Sequence, residues 1–268
     1  MEQPFVIRRS VEKCKNGVRE SIEDEVVREY PLTIYVNEEE FATIVCSPQN
    51  LEEMVIGFLG SEGMIRFFHK DVKSIEIDQE RGFAYVSLTK SYALDQQFYS
   101  KRYIGSCCGK SRQSFYFLND AKQAKTSMTK MTLTVEQCTR LMELMQNESD
   151  VFKQTGGVHN AALAQADKLL LTRTDIGRHN ALDKIYGHCL KGQLSLRDKV
   201  LVFSGRLSSE VLLKAAKMGV GIMLSKSAPT DLALRMAEEL QITAVGFIRG
   251  QNMNIYTHGH RIISASEQ

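Results

Sequence analysis

Residues 200–249 read VLVFSGRLSSEVLLKAAKMGVGIMLSKSAPTDLALRMAEELQITAVGFIR. Short apolar runs at 200–203, 220–224 and 243–248 alternate with helical stretches at 209–218 and 230–240. This βαβαβ rhythm implies parallel strands joined by right-handed crossovers. Parallel strands place their C-terminal ends on one edge of a sheet, and ligands bind in the crevice there. The loops leaving those ends are Ser204-Gly205-Arg206, Ser225-Lys226-Ser227-Ala228-Pro229-Thr230 and Arg249-Gly250-Gln251-Asn252. Each carries one cation beside small or amide-bearing residues. Two lead into helix N-termini, whose free N–H groups and dipole favour anions. Pro229 fits a first helical position. One such loop is ordinary turn chemistry, but three on one edge point to a phosphate-bearing ligand, in the first place a nucleotide. No Walker A loop or G-x-G-x-x-G fingerprint is present, which argues against a standard nucleotide triphosphatase or dehydrogenase.

Outward from that unit, residues 161–164 and 168–171 read as a strand pair and 180–190 as a helix. Thr134 and Gln137 form a capping-box spacing for a helix over 134–146, with Cys138, Leu141, Met142 and Met145 on its inner face. Residues 119–130 read as a polar linker. Further upstream, 32–36 and 41–45 alternate as strands around a turn at 37–39. Asn50 is placed to cap a helix striped by Leu51, Met54, Val55, Phe58 and Leu59, and Gly63 to end it. A second strand pair is expected at 72–78 and 83–89. Residues 1–30 read as an irregular or extended arm, and 253–256 with 261–263 as a closing pair. The fold class is therefore α/β (α+β overall). A smaller mixed α+β unit spans 1–126 and an α/β domain spans 127–268.

The 268 residues allow one large or two modest domains. Basic residues number 34 against 32 acidic, a net charge of +2, so there is no broad footprint for nucleic acid and anion recognition must be local. No apolar run approaches the length of a transmembrane helix, and none near the N-terminus suggests a secretory signal. Six cysteines in that context predict a cytoplasmic, reducing setting.

Four of those cysteines, Cys14, Cys46, Cys138 and Cys189, read as small buried hydrophobes. The other two sit in Ser106-Cys107-Cys108-Gly109-Lys110-Ser111-Arg112, flanked by Lys101, Arg102, Lys110 and Arg112. Nearby cations favour the thiolate, which is the nucleophile. No C-x-x-C pair supports a zinc site, and no metal is expected. Two further polar clusters each hold a His-Asn pair: 155–160, with His159 and Asn160, and 175–184, with Asp175, Arg178, His179 and Asn180. Asp175 or Asn180 can serve simply as a helix cap. A histidine beside a carboxylate is equally a candidate proton carrier.

Together these motifs resemble the formate dehydrogenase accessory sulfurtransferase family, FdhD/NarQ. The matching stretches are 31–37 (PLTIYVN), 57–63 (GFLGSEG), 156–159 (GGVH), 175–184 (DIGRHNALDK), 204–206 (SGR) and 227–230 (SAPT), and the likeness spans about 23–258. It implies a cytidine-deaminase-like fold for the C-terminal half, without the zinc signature of true deaminases. It implies a sulfurtransferase that accepts persulfide sulfur from a cysteine desulfurase. The sulfur then passes to the molybdenum bis(molybdopterin guanine dinucleotide) cofactor, bound as substrate, for formate dehydrogenase. GDP is then a mimic of the cofactor, and a homodimer is expected. The family loop Ser-Ser-Cys-Gly-x-Cys-Gly lays its persulfide cysteine on Cys108; Ser111 replaces the second cysteine and Cys107 a serine. The cofactor stretch falls on Phe247, Ile248, Arg249, Gly250, Gln251 and Asn252.

The resulting expectation has Cys108 as the sulfur carrier, with Cys107 assisting or substituting. His179 and Asp175 handle protons or dock the loop. Ser204, Arg206, Lys226 and Ser227 join the 247–252 stretch around the cofactor. The rival readings are a non-covalent cofactor chaperone, a hydrolase on the same fold and, with C-x-x-C spacing missing, a thiol oxidoreductase.

Overall fold

The computed structural model describes residues 4–90, 102–104, 124 and 126–264. It opens on a hairpin of two ten-residue strands, β1 (Val6–Lys15) and β2 (Val18–Val27). They pair antiparallel from Val6↔Val27 to Lys15↔Val18. The turn is Asn16-Gly17, with φ of 53° and 81°, the conformation that suits the twist of a tight hairpin. This ordered hairpin replaces the arm expected over 1–30. Charged residues face one another along it, Arg9 opposite Asp24 and Lys13 opposite Glu20, so the usual apolar alternation of a strand is absent.

The strands β3 (Tyr30–Val36) and β4 (Glu39–Cys46) form the expected antiparallel pair. The helix α1 (Leu51–Ser61) follows. Asn50 occupies its N-cap position in the left-handed region (φ 52°) and makes no side-chain cap bond, so the expected capping role is not taken. After α2 (Phe68–Asp71) come β5 (Val72–Asp78), β6 (Phe83–Leu88) and β7 (Arg102–Ile104). The five-stranded sheet runs β5-β6-β3-β4-β7, with β3/β6 and β4/β7 parallel. Met54, Val55, Phe58 and Leu59 of α1 share one core with Leu32, Ile34, Phe41 and Ile44 of that sheet.

The second half begins with β8 (Leu133–Thr134) and α3 (Val135–Asn147). The capping box forms as its spacing requires: Gln137 N–H donates to Thr134 Oγ1 at 3.2 Å, and Thr134 N–H donates to Gln137 Oε1 at 2.9 Å. Such a cap stabilises a helix by about 1 kcal/mol. Then come α4 (Asp150–Thr155), β9 (His159–Gln165), β10 (Lys168–Asp175), α5 (Arg178–Lys191) and β11 (Val200–Phe203). The chain continues through α6 (Ser209–Met218), β12 (Ile222–Ser225), α7 (Asp231–Glu239), β13 (Thr243–Arg249), β14 (Asn252–Ile255) and β15 (Ile262–Ile263). The six-stranded sheet is ordered β10-β9-β11-β12-β13-β14. The expected βαβαβ trio β11, β12 and β13 is parallel, and the remaining pairs are antiparallel. Period-two alternation divides the strands between two cores. Leu201, Phe203, Met223 and Ala244 face α5, α6 and α7, while Val200, Val202, Ile222, Leu224 and Val245 face α3.

Three further expectations need correction. The segments 253–256 and 261–263 do not pair with each other: β14 pairs with β13, and β15 runs parallel to β8. Pro229 lies one residue before the N-cap Thr230, outside the helix. Residues 126–130 are not a free linker. Ser127 N–H donates to Leu240 O at 2.8 Å, and Thr129 Oγ1 donates to Arg197 O at 2.9 Å, because this stretch fills the groove beside Gly221.

The two halves meet where α1 crosses α5. A Cβ on Gly57 would lie 1.8 Å from Asp183 O, and one on Gly187 1.7 Å from Glu53 O, so only glycine permits this approach. Ion pairs frame the crossing. Arg173 Nε and Nη2 donate to the two oxygens of Glu53 at 2.6 and 2.8 Å, and His188 Nδ1 lies 2.8 Å from Glu53 Oε1. Burial alone would raise the Glu53 carboxyl, but these bonds outweigh it and hold the group below the usual carboxylate range. On the far side Asp183 accepts from Ser61 Oγ at 2.7 Å and from Lys214 Nζ.

Candidate functional site at the sheet edge

Because β9 runs against the parallel trio, its first residues lie at the edge where β11, β12 and β13 end. His159 there pairs with Asp175, the last residue of β10. Ser204, just beyond β11, is tied to the same place: its N–H donates to Asn160 O at 3.0 Å, and Asn160 N–H donates to Ser204 Oγ at 2.9 Å. The clusters 155–160 and 175–184 therefore join the first loop. Sequence reasoning had left them separate from the three loops; the reversal of the 161–171 strand pair is the signal that would have joined them.

The loops are also bound to one another. Ser225 Oγ donates to Gly205 O at 2.8 Å, and Ser227 Oγ donates to Ser204 O at 3.0 Å. Phe247 N–H donates to Ser227 O at 3.3 Å. The convergence predicted from strand order holds for all three. Arg206, Arg249, Gly250, Gln251 and Asn252 are exposed along this edge, whereas Ile248 is buried in the core against α3. Phe247 sits at a bulge between Gly246 and Arg249, with φ 55° and 38% of its surface exposed. An aromatic residue in the left-handed region costs roughly 1–3 kcal/mol, a strain that concentrates at ligand sites. Lys226 is spoken for: its Nζ donates to Gln146 Oε1 on α3 at 2.6 Å.

Asp175 is wholly buried and paired with the equally buried Lys184 at 2.7 Å. Its Oδ2 also accepts from Ser47 N–H at 3.0 Å and Ser47 Oγ at 2.8 Å. Its Oδ1 accepts from Gly177 N–H at 2.8 Å and Asn180 Nδ2 at 2.9 Å. The cap position of α5 itself is Gly177, so neither Asp175 nor Asn180 is the N-cap. With both oxygens committed, Asp175 positions the start of α5 against the end of β4.

His179 is different. Burial, then the charges of Lys214, Arg178 and His159, push its imidazole down to about 3, so it is neutral. Glu210 Oε2 lies 3.2 Å from Nε2 but off the hydrogen-bond axis, and Nε2 is left unpartnered. His159 is lowered as well, by burial and then by Arg178, against a raising effect of Asp175.

The FdhD/NarQ family profile matches residues 27–263. The chain belongs to the FdhD/NarQ family. It is 70% identical over 246 residues to a sulfur carrier protein FdhD of Halalkalibacterium halodurans, covering 92% of this chain and 91% of that one. It is 58% identical over 254 residues to the sulfur carrier protein FdhD of Bacillus subtilis, covering 95% and 96%. A crystal structure of a candidate formate dehydrogenase accessory protein from Desulfotalea psychrophila superposes with a TM-score of 0.79. That match covers 97% of this chain and 100% of the other at 24% identity, which bears on the fold.

Membership of FdhD/NarQ directs attention to sulfur. Cys107 and Cys108 lie outside the described residues. Among the described cysteines, Cys46, Cys138 and Cys189 are buried as expected, whereas Cys14 on the hairpin is exposed, a correction. Burial pushes the Cys138 and Cys189 thiols up to about 12, and burial followed by the charge of Asp175 raises Cys46 too, so these three are poor nucleophiles. β7 pairs with β4 in parallel, Ile104 beside Ile44. The chain thus leaves Ile104 on the edge where β4 presents the Val45 carbonyl to Asn180 and Ser47 to Asp175.

Proposed function

We propose that this chain is a sulfur carrier for formate dehydrogenase maturation, with Cys108 bearing the sulfur. The Cys108 thiolate attacks the outer sulfur of a cysteine desulfurase persulfide. The new S–S bond forms as the donor S–S bond breaks, and the donor cysteine leaves as thiolate with no net redox change. The acceptor is the molybdenum bis(molybdopterin guanine dinucleotide) cofactor, held as substrate at the sheet edge. Arg206 and Arg249 face its phosphates, and Gln251, Asn252 and the strained Phe247 face its nucleotide end. The observation that carries the reading is one of placement. Five separate polar segments of the family pattern converge on one edge, and β7, the strand that precedes the cysteines in the chain, ends beside the C-terminal end of β4. The named relatives, sulfur carriers by description, support the sulfur half of it.

The test is mass spectrometric. Wild-type protein incubated with a cysteine desulfurase and cysteine should gain about 32 Da, one sulfur atom, on the peptide containing Cys108. Cys108→Ala should lose the adduct and formate dehydrogenase maturation, whereas Cys107→Ala separates an assisting thiol from a bystander. Full maturation by Cys108→Ala would sink the relay in favour of a cofactor-holding chaperone.

A further inference from the structure

Arg178 opens α5 with only 9% of its surface exposed. A buried guanidinium normally rests on a carboxylate. Among the described residues Arg178 has no such partner, and its Nε is buried without a hydrogen bond. Two more buried polar atoms share that state, His179 Nε2 and Ser208 Oγ. All three come from adjoining segments. The loop holding Ser208 packs on Arg178, since a Cβ on Gly205 would stand 3.5 Å from Arg178 Cβ. Ser208 is the N-cap of α6 yet its side chain makes no cap bond, and Glu210 of the same turn approaches His179. His159, across the edge on β9, feels the charge of Arg178, as His179 does.

Folded proteins leave few buried polar atoms unsatisfied, so three in adjoining segments point to a partner, water or ligand, that completes them. The end of α5 indicates its sign. That fourteen-residue helix has no side-chain cap and no acidic residue in its first turn, and the Asp175 carboxylate that accepts Gly177 N–H just before it is itself paired with Lys184, so its positive end still favours an anion. We infer that Arg178, Ser208, His159 and His179 form, at the N-terminus of α5, a buried site for a phosphate group. The guanidinium offers paired donors, the hydroxyl a third, and each neutral imidazole one N–H. Glu210 brings a negative charge to one side. Lys214, held on Asp183, brings a positive charge from the same helix. The site adds a deep anion anchor to the exposed arginines of the proposed cofactor edge, and it rests on that reading only for what carries the phosphate.

Calorimetric titration of the full chain with inorganic phosphate, GDP and guanosine tests it. Wild-type protein should bind phosphate and GDP, with guanosine much weaker. Arg178→Gln should weaken GDP by about tenfold or more without lowering the ligand-free melting temperature, and Ser208→Ala, which removes one hydroxyl, by about threefold. Inorganic phosphate should raise the melting temperature of wild type but not of Arg178→Gln. If phosphate binding alone depends on Arg178, the site takes free phosphate; if GDP does too, it takes the nucleotide. The inference is overturned if wild type binds neither, or if both folded variants bind GDP and phosphate as wild type does. GDP binding that needs Arg178, without sulfur on Cys108, would keep this site and remove the relay. Sulfur on Cys108 with Arg178-independent binding would do the reverse.

Discussion

Lys184 has no exposed surface, and neither does its partner Asp175. Taking one member away strands a charge in the interior, which costs about 3–5 kcal/mol, whereas replacing both by apolar residues is far cheaper. Asp175→Leu or Lys184→Met alone should therefore lower the urea midpoint sharply, and the double variant should recover only the part due to the stranded charge, since the Ser47 and Gly177 N–H groups still lose their acceptor. His179 makes a prediction in pH. Its folded value, about 3, lies below the 6.5 of the unfolded chain, so unfolded protein binds the extra proton in between. Stability from this group is full above pH 6.5 and falls as pH drops through that window. Urea midpoints at about pH 7.5 and about pH 5 should differ, and His179→Gln should narrow the gap. The sequence placed Asp175 and His179 in one polar cluster with overlapping roles. Only packing separates them: a carboxylate saturated by Ser47, Gly177, Asn180 and Lys184, and an imidazole with an open nitrogen. Ser47 lies 128 residues from Asp175, beyond any local pattern.

Among elements, the crossing of α1 and α5 is the most demanding. A methyl group at Gly57 or Gly187 would fall inside the van der Waals radius of a backbone oxygen. Gly187→Ala should cost at least the roughly 1–3 kcal/mol typical of overpacking, read as a drop in denaturation midpoint, although alanine is the better helix former. Ala at Gly63, where nothing lies within 4 Å, meets no clash and tests only the positive φ of 82°. Elements with a strong period were legible in advance, among them the parallel trio, α3 with its capping box and the β3–β4 pair. The first hairpin was missed because most of its cross-strand pairs include a charged residue, yet its Asn16-Gly17 turn is a strong hairpin signal in its own right. The pairing of β15 with β8 had no local trace, since two residues at each end carry no period.

At the scale of the whole molecule, the sequence divides at about residue 126 into two units, but the structure joins them through α1, α5 and the ion pairs around Glu53 and Asp183. The convergence of the edge loops was legible because parallel strands must end together; the open nitrogen of Arg178 was not, because it depends on what fails to reach it. The distance in sequence between Ser47 and Asp175 also sets a clock. A ribosome adding about 5–20 residues per second needs roughly 6 to 26 seconds to travel the 128 residues between them. For most of that interval the Gly57 face of α1 has been made while the helix that covers it has not. The nascent chain must carry a bare seat through much of its own synthesis, until α5 is made to cover it.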